Sequence, residues 1–239
     1  MILSIPYCGM APLPSELIQR WNMDPLLLIG LGGLAVFWML RRPFLEPLSF
    51  WSGWLVLVIC FVSPLCALTT ALFSARSAHH LLLICLAAPL LARALPARLP
   101  VSLSVVTFLK GGILVLWHVP AVYEASLSND IVYWLLQAGL LLSAVMFWSR
   151  VWDASAPRAF AALAGIMTLM GLIGAVLTFA PLPLYAAHLT TTWTWGVSPL
   201  EDQQLSGLVM WALSLPVYVL AAALIAGRLV SGGRHEALA

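Results

Sequence analysis

The chain has 239 residues, of which 62% are hydrophobic and only 8% are charged, and its mean hydropathy is +1.01. Soluble domains carry roughly 25% charged residues, so this composition excludes a soluble globular fold. The formal net charge of +2 provides no basic surface for nucleic acid. These values predict an all-α membrane protein.

Seven apolar runs along the chain are long enough, or nearly so, to cross a bilayer as helices. A helix needs about 20 mostly apolar residues to span roughly 30 Å of hydrocarbon, because lipid offers no partner for an unpaired backbone amide. The first run begins with Pro25, at a helix N1 position after Asp24. The runs cover residues 25–40, 50–72, 79–95, 101–119, 131–148, 159–180 and 205–230.

These runs predict a seven-transmembrane-helix bundle over residues 25–230. An extracytoplasmic N-terminal tail of residues 1–24 precedes it, and a cytoplasmic C-terminal tail of residues 231–239 follows. The N-terminal tail lacks the charged and continuous apolar regions of a signal peptide, so it is expected to remain in the mature protein.

The orientation follows from the basic residues that flank the runs, because cytoplasmic loops retain Lys and Arg. On one side lie only Arg20 and Arg76. The side reached after odd-numbered runs carries Arg41, Arg42, Arg93, Arg98, Arg150, Arg158, Arg228 and Arg234. The asymmetry predicts a bacterial inner-membrane protein with its N-terminus outside and its C-terminus inside. Tryptophans near the span ends, Trp117 and Trp148 among them, are expected to anchor the interface.

Four of the five histidines fall at the predicted outer face, and only His235 lies on the cytoplasmic side. His80 enters the third span and His118 nears the end of the fourth, so adjacent antiparallel helices would hold two imidazoles at similar depth. Such a pair suits copper or zinc. His79 diverges from His80 by about 100° on a helix, so the deeper His80 is the preferred ligand. Alternatively, these residues and His188 only hydrogen-bond to headgroups, water or a carbonyl.

The N-terminal tail carries a second pair of candidate ligands. Cys8 and Met10 place a thiol near a thioether on the outer side, a soft pair that favours Cu(I), although a cysteine in a tail can equally be inert. The other cysteines lie in apolar runs without CxxC spacing, so packing residues rather than a disulfide are expected. They are Cys60, Cys66 and Cys85.

Two further polar features stand out in this apolar chain. Lys110 falls within the fourth span, where a charged side chain is generally paired, exposed to water or functional. If the helix begins a few residues late, Lys110 instead snorkels to the inner interface, and the sequence leaves both readings open. A polar patch of residues 198–204 precedes the seventh span, and Glu201 and Asp202 are expected to cap that helix.

A series of short motifs extends from about residue 20 to residue 225. They are Trp21–Pro25, Ser63–Leu65, Phe73–Ala75, His80–Leu82, Ala88–Leu90, Trp117–Pro120 with Tyr123, Phe147–Trp148, Asp202–Gly207 and Met210–Trp211. In their order and spacing these motifs resemble the membrane-bound CtaG family of cytochrome c oxidase assembly factors. The segment from Asp202 to Gly207 is the most specific of them.

The resemblance implies a protein needed for maturation of a haem–copper oxidase, which helps transient Cu(I) to reach the catalytic subunit. The implied partners are the oxidase catalytic subunits, the lipid bilayer and a periplasmic copper chaperone. His80 and His118 would hold the metal, with His79, Cys8 or Met10 completing the site. The motifs add further functional residues, namely Trp117, Asp202 and Gln203.

One position departs from the family pattern. Arg76 and Ser77 stand where a His-Met pair is expected one helical turn before His80. A cation there repels bound Cu(I) unless Glu124, Asp130 or Asp202 pairs with it. The metal site would then be weaker, or rebuilt from His79 and Cys8.

Two other classes of function compete with an assembly factor. One is an accessory or structural subunit of a respiratory complex, and the other is a copper or small-solute permease. A permease needs a polar path through the bilayer, yet only Lys110 and a few Ser and Thr residues lie at depth. The chain has no GxSxG, Walker or HExxH motif and no acidic residue inside a predicted span, so neither an enzyme nor an ion-driven pump is expected.

Overall fold

A computed structural model describes residues 5–40, 46–95 and 100–236, with side chains described as far as residue 228. Within these ranges the regular structure is entirely helical. The helices are α1 (Pro25–Leu40), α2 (Pro47–Phe61), α3 (Leu65–Ala71), α4 (Phe73–Leu81), α5 (Ala88–Ala94), α6 (Leu103–His118), α7 (Pro120–Ser128), α8 (Asp130–Asp153), α9 (Ala156–Phe179) and α10 (Pro199–Glu236). Among the basic residues used to predict orientation, Arg41, Arg42 and Arg98 lie outside the described residues.

Four continuous helical stretches are long and apolar enough to cross a membrane. They are Phe73–Ala94, α8, α9 and the part of α10 from Pro199 to Arg228. Two bent pairs also qualify if each is one span, namely α2 with α3, bent by 44°, and α6 with α7, bent by 78°. The described chain therefore has four to six candidate spans by length and composition, beside the shorter apolar α1 of 16 residues.

The start of α1 confirms the boundary predicted at Pro25. The Asp24 carboxylate accepts hydrogen bonds from the backbone amides of Leu26 (2.8 Å) and Leu27 (3.4 Å), which satisfies two amides that have no partner within the helix. The Tyr7 hydroxyl donates to the same carboxylate at 2.8 Å and lowers the pKa of Asp24. The N-terminal tail is thereby tied to the first helix.

Two predicted boundaries were wrong. The third span begins at Phe73 rather than at residue 79, because its first turns carry Ser and Arg and do not look apolar. The second span is broken before Pro64, since a proline cannot donate the hydrogen bond that would continue the helix. The segment predicted as an outer loop, residues 119–130, contains α7.

A π-helical segment, Leu82–Ala87, joins α4 to α5. Pro89, the second residue after this segment, has no backbone N–H, so it cannot contribute the hydrogen bond that a regular α-helix needs there. The backbone N–H of Ala88 donates instead to the carbonyl of Leu83, five residues earlier. The wider turn lets the polar residues of α4 and the apolar residues of α5 both face the interior of the bundle.

Tryptophan side chains join neighbouring helices through their indole N–H groups. Trp54 donates to a carbonyl of α1, Trp117 to one of α8, Trp148 to one of the π segment and Trp211 to one of α9, at 2.8–3.1 Å. Trp117 and Trp148 are each 1% exposed, so the expectation that they anchor the interface was wrong. A carbonyl oxygen has a second lone pair after its helical bond, and here the indoles use it.

Helices α9 and α10 approach each other closely at two glycines. A Cβ atom at Gly207 would collide with the Thr178 hydroxyl and with the carbonyl oxygen of Gly174. At Gly174 a Cβ atom would lie 2.7 Å from the Trp211 indole nitrogen. Small residues at such a crossing let two backbones pack directly, which is how helices associate in lipid.

Candidate functional site

One end of the bundle is organised by the carboxylate of Asp202. We call it the histidine end, where α4 and α10 begin and α6 ends. Asp202 accepts hydrogen bonds from the backbone amides of Phe73 (2.6 Å) and Ser74 (3.2 Å) and from the Ser74 hydroxyl (2.5 Å). It therefore caps α4 from a distant part of the chain. The expectation that Asp202 caps its own helix was wrong.

The cap of α10 is made by the residues on either side of the turn that precedes Asp202. The Ser198 amide donates to the Glu201 carboxylate at 2.7 Å, and the Glu201 amide donates to the Ser198 hydroxyl at 3.3 Å. This reciprocal pair is a capping box. It leaves the Asp202 carboxylate free to serve α4.

The most specific motif, Asp202–Gly207, acts as a joint between helices. Gln203 accepts from the Leu184 amide at 2.6 Å and donates to the Leu177 carbonyl at 3.3 Å, which connects α10 to the end of α9 and the following loop. The Ser206 and Ser77 hydroxyls share a hydrogen bond of 2.5 Å. Together with the close contact at Gly207, these bonds fix the position of α4, and hence of its histidines.

Behind the capped end of α4 lies a group of four side chains, the polar cluster: Arg76, His79, His80 and Gln137. Their exposed fractions are 1%, 0%, 5% and 1%. Six polar atoms among them have no hydrogen-bond partner in the described structure, namely Arg76 Nε and Nη1, His79 Nδ1, His80 Nε2, and Gln137 Nε2 and Oε1. A buried unpaired polar group costs roughly 1–3 kcal/mol, so this concentration of them marks a candidate binding site.

Hydrogen bonds to backbone carbonyls set the tautomers of two histidines. His79 Nε2 lies 3.1 Å from the Cys60 carbonyl oxygen, and because a carbonyl only accepts, that nitrogen carries the proton. His118 Nδ1 donates to the Leu114 carbonyl at 2.7 Å in the same way. Each ring then keeps one nitrogen with a free lone pair, the form that can bind a metal.

The structure brings the predicted histidine ligands into one region. The ring centroids of His79 and His80 are 5.7 Å apart, and the His80 ring lies 4.3 Å from that of Trp117. His118 is half-buried, close enough to His80 for an electrostatic interaction. It lines a groove of about 220 Å³ between α6 and α9, so one imidazole of the group can be reached from the surface.

Arg76 is held by aromatic rings rather than by a carboxylate. Its guanidinium carbon lies 5.9 Å from the Trp117 ring and 5.6 Å from the Tyr133 ring. No ion pair of Arg76 occurs among the described residues, so the pairing with Glu124, Asp130 or Asp202 that could have neutralised it is not found. The cluster therefore combines a cation that has no carboxylate partner among the described residues with two imidazoles.

The predicted sulfur ligands are a disulfide sulfur and an exposed thioether. Cys8 forms a disulfide with Cys66, so the expectation that Cys66 is only a packing residue was wrong. A disulfide sulfur is not a thiolate, and in this oxidised form Cys8 offers no thiol to a metal. Met10 is 65% exposed on the tail, whereas the polar cluster is buried. In the part of the chain that is described, no three His, Cys, Asp or Glu side chains form a metal-sized group.

Lys110 occupies a separate pocket deeper in the bundle. It is completely buried, its ammonium donates to the Tyr218 hydroxyl at 2.7 Å, and it lies 4.1 Å from the Phe147 ring and 5.5 Å from the Trp148 ring. The alternative in which Lys110 snorkels to the inner interface was wrong. Aromatic faces stabilise a cation in a low-dielectric interior, so they replace a carboxylate here.

Sequence reasoning missed two residues of the histidine end. Gln137 could have been noticed as an isolated amide within an apolar span. His188 was expected to hydrogen-bond to headgroups, water or a carbonyl; it does contact a carbonyl, but it is 2% exposed and its Nε2 shares a hydrogen bond of 2.6 Å with the Tyr123 hydroxyl. Its Nδ1 lies 3.3 Å from the Ala71 carbonyl, so both ring nitrogens are engaged. Burial lowers the pKa of His188 to about 4.

Comparison with known proteins identifies the family of this chain. A family model described as cytochrome c oxidase caa3 assembly factor (Caa3_CtaG) matches residues 33–231, which include α4, α6, α9 and the joint at Asp202–Gly207. No curated protein and no solved structure matches the chain significantly. The family match covers most of the chain. The protein therefore belongs to the cytochrome c oxidase caa3 assembly factor family.

Proposed function

We propose that this protein assists assembly of a cytochrome c oxidase by holding Cu(I) transiently among the imidazoles of α4 and α6. The observation that carries the proposal is the set of free imidazole nitrogens on His79, His80 and His118, two of them with tautomers set by a backbone carbonyl. Imidazole is a suitable ligand for copper.

The composition of the cluster favours Cu(I) over zinc. Structural zinc sites use four ligands, whereas no group of three His, Cys, Asp or Glu side chains is found among the described residues. A site with two imidazoles suits a low-coordinate Cu(I). The buried Arg76 cation disfavours any bound cation, which keeps the affinity low enough for the metal to be passed on.

The proposal includes a topology in which seven spans place the histidine end outside. It counts α1 as the first span, α2 with α3 as the second and α6 as the fourth, with α7 at the outer surface, the N-terminus outside and the C-terminus inside the bacterial inner membrane. Reporter fusions should place residues 119–130 and 181–204 outside. A cytoplasmic signal from residues 181–204 would contradict this orientation.

Copper binding can be tested on the full chain purified in detergent under reducing conditions, by competition with a chromogenic Cu(I) chelator. Wild-type protein is expected to bind about one Cu(I). Substitution of a single ligand, His80→Ala or His118→Ala, should weaken binding by at least 10 to 100-fold, the range seen even for residues that only support ligands. The same variants should lower the copper content of the oxidase in cells.

The matched control is His235→Ala. His235 lies near the end of α10, about 29 residues and hence ~44 Å of helix beyond Ser206, so it should not affect the site. If wild-type protein retains no Cu(I) and His80→Ala still supports maturation, the copper proposal fails. The protein would then act as a structural partner of the oxidase. That role is favoured because no group of three metal-binding side chains is found among the described residues.

A further inference from the structure

A second polar site lies at the opposite end of the bundle, where α6 and α9 begin and α8 ends. We call it the arginine end. It contains a cavity of about 670 Å³, lined on its polar side by Ser102, Thr107, Arg150, Asp153, Ser155 and Arg158. The copper proposal uses none of these residues.

Two arginines, Arg150 and Arg158, line this cavity, whereas only one carboxylate, that of Asp153, lies beside them. Arg150 Nε is buried and has no hydrogen-bond partner, and Arg150 Nη1 is 3.8 Å from Asp153, which is too long for a hydrogen bond. Arg158 makes no ion pair among the described residues. Two arginines and one aspartate line the cavity, which thus carries a net positive charge.

The backbone around the cavity also favours an anion. Both α6 and α9 begin here, and the first amides of a helix point outward with a partial positive charge. The Ser102 hydroxyl accepts from the Val105 amide at 3.3 Å, which leaves its hydrogen for another acceptor. Ser155 occupies the N-cap position of α9 but makes no capping hydrogen bond. Arginine pairs and helix N-termini are the groups that bind phosphate oxygens.

The rim of the cavity is apolar and faces outward. Phe108 is 80% exposed and lines the cavity, and Val105, one turn earlier, is 55% exposed. Both belong to α6, a candidate membrane span, so they face lipid. A ligand of this cavity therefore meets arginines at one side and hydrocarbon at the other.

We propose that the cavity at the arginine end binds the phosphate group of an anionic phospholipid, with Arg150 and Arg158 on the phosphate and an acyl chain along Phe108. The phosphate chemistry alone would also fit free inorganic phosphate, but the exposed apolar rim favours a ligand that carries its own hydrocarbon. Basic pockets between transmembrane helices bind lipid headgroups in this way.

The test uses the full chain reconstituted into nanodiscs of phosphatidylcholine, titrated with phosphatidylglycerol and followed by native mass spectrometry of the released complex. Wild-type protein should retain phosphatidylglycerol in preference to phosphatidylcholine. The double variant Arg150→Gln/Arg158→Gln should bind it about tenfold or more weakly, since each interfacial arginine contributes roughly 1 kcal/mol. Asp153→Asn should bind it more tightly, a gain that a misfolded protein could not show.

Arg93→Gln is the matched control, because it removes one charge from the same end of the bundle. Arg93 is already paired with Glu46 at 2.8 Å, so retention of phosphatidylglycerol should not change. Equal retention of the two lipids, or equal binding by wild type and the double variant, would overturn the proposal. Binding of inorganic phosphate with no preference for phosphatidylglycerol would overturn the assignment to lipid.

Discussion

Two buried cations in this protein are treated in opposite ways. Lys110 is surrounded by aromatic rings and bonded to the Tyr218 hydroxyl, and none of its atoms is left unpaired. Arg76 is equally buried, yet its Nε and Nη1 have no partner, and the same is true of atoms in its neighbours His79 and His80. The first arrangement is complete without a ligand, whereas the second is not.

The two cations differ in whether their buried polar atoms have hydrogen-bond partners. A polar group that is fully satisfied stabilises the fold and specifies how helices pack, but it has nothing left to offer a ligand. Unpaired atoms cost stability, so a cluster of them is retained where binding requires them. We therefore propose that Lys110, which the sequence singled out for its depth, serves the fold and that the polar cluster serves binding.

The largest expected effect comes from the cap that fixes the polar cluster. Asp202→Ala removes three hydrogen bonds from the start of α4 and should lower the free energy of unfolding by about 2–4 kcal/mol. Glu201→Ala is the control, because Glu201 is an exposed residue of a capping box and its loss should cost about 1 kcal/mol or less. Thermal unfolding in detergent measures both. Equal losses of unfolding free energy in the two variants would show that the hydrogen bonds of Asp202 to α4 do not stabilise the protein.

Lys110→Met tests the assignment of Lys110 to the fold. The substitution removes the ammonium that donates to the buried Tyr218 hydroxyl. It should destabilise the protein by about 1–3 kcal/mol without changing Cu(I) affinity. Adding Tyr218→Phe should restore much of the stability, because removing both partners leaves no unpaired group. Abolished oxidase maturation in a double variant that is stable would show instead that Lys110 is functional.

Arg76→Met tests the other side of the comparison. Removing the buried cation should tighten Cu(I) binding by about tenfold, equivalent to ~1.4 kcal/mol, while stability stays the same or rises. Arg20→Met is the control, since Arg20 is exposed and paired with Glu16. Chelator competition gives the affinity. Weaker binding in Arg76→Met would mean that the guanidinium supports the site rather than opposing it.

His188 offers a comparison within the histidine end itself, because both its ring nitrogens are bonded. Its pKa of about 4 lies below the ordinary 6.5, so the folded protein favours the neutral ring. Its contribution to stability is complete above pH 6.5 and is lost as the pH falls toward 4. Between pH 7 and 5.5 the loss should be about 1 kcal/mol, and His188→Gln should remove that part of the acid sensitivity. An unchanged pH profile in the variant would refute this.

Hydrophobic runs predicted the helical class and several boundaries well. The predicted limits of the first span, residues 25–40, coincide with α1, and Pro25 after Asp24 identified its start. These features depend only on neighbouring residues, so they can be recognised in the sequence. His80 and His118 were also placed correctly at one end, because their depth follows from the position of each span.

The parts that failed depend on distant contacts. The first turns of α4 contain Ser74, Arg76 and Ser77, and only Asp202 and Ser206 of another helix make them helical and buried. The disulfide joins Cys8 to a cysteine inside an apolar run, 58 residues away. No periodicity or motif within either segment indicates which distant residue it contacts. These features depend on long-range pairing, so local sequence patterns could not predict them.

The carbonyl of Ile84 in the π segment has a mechanical consequence. It accepts the Trp148 indole N–H at 2.8 Å, and the same indole stacks on Tyr218 with ring centroids 5.6 Å apart. The Trp148 side chain of α8 thus contacts both α10 and the span that carries the histidines. Sliding α8 by one turn would break that contact in a medium without water to replace it. This contact should therefore oppose sliding of α8 relative to α10 and to the span that carries the histidines.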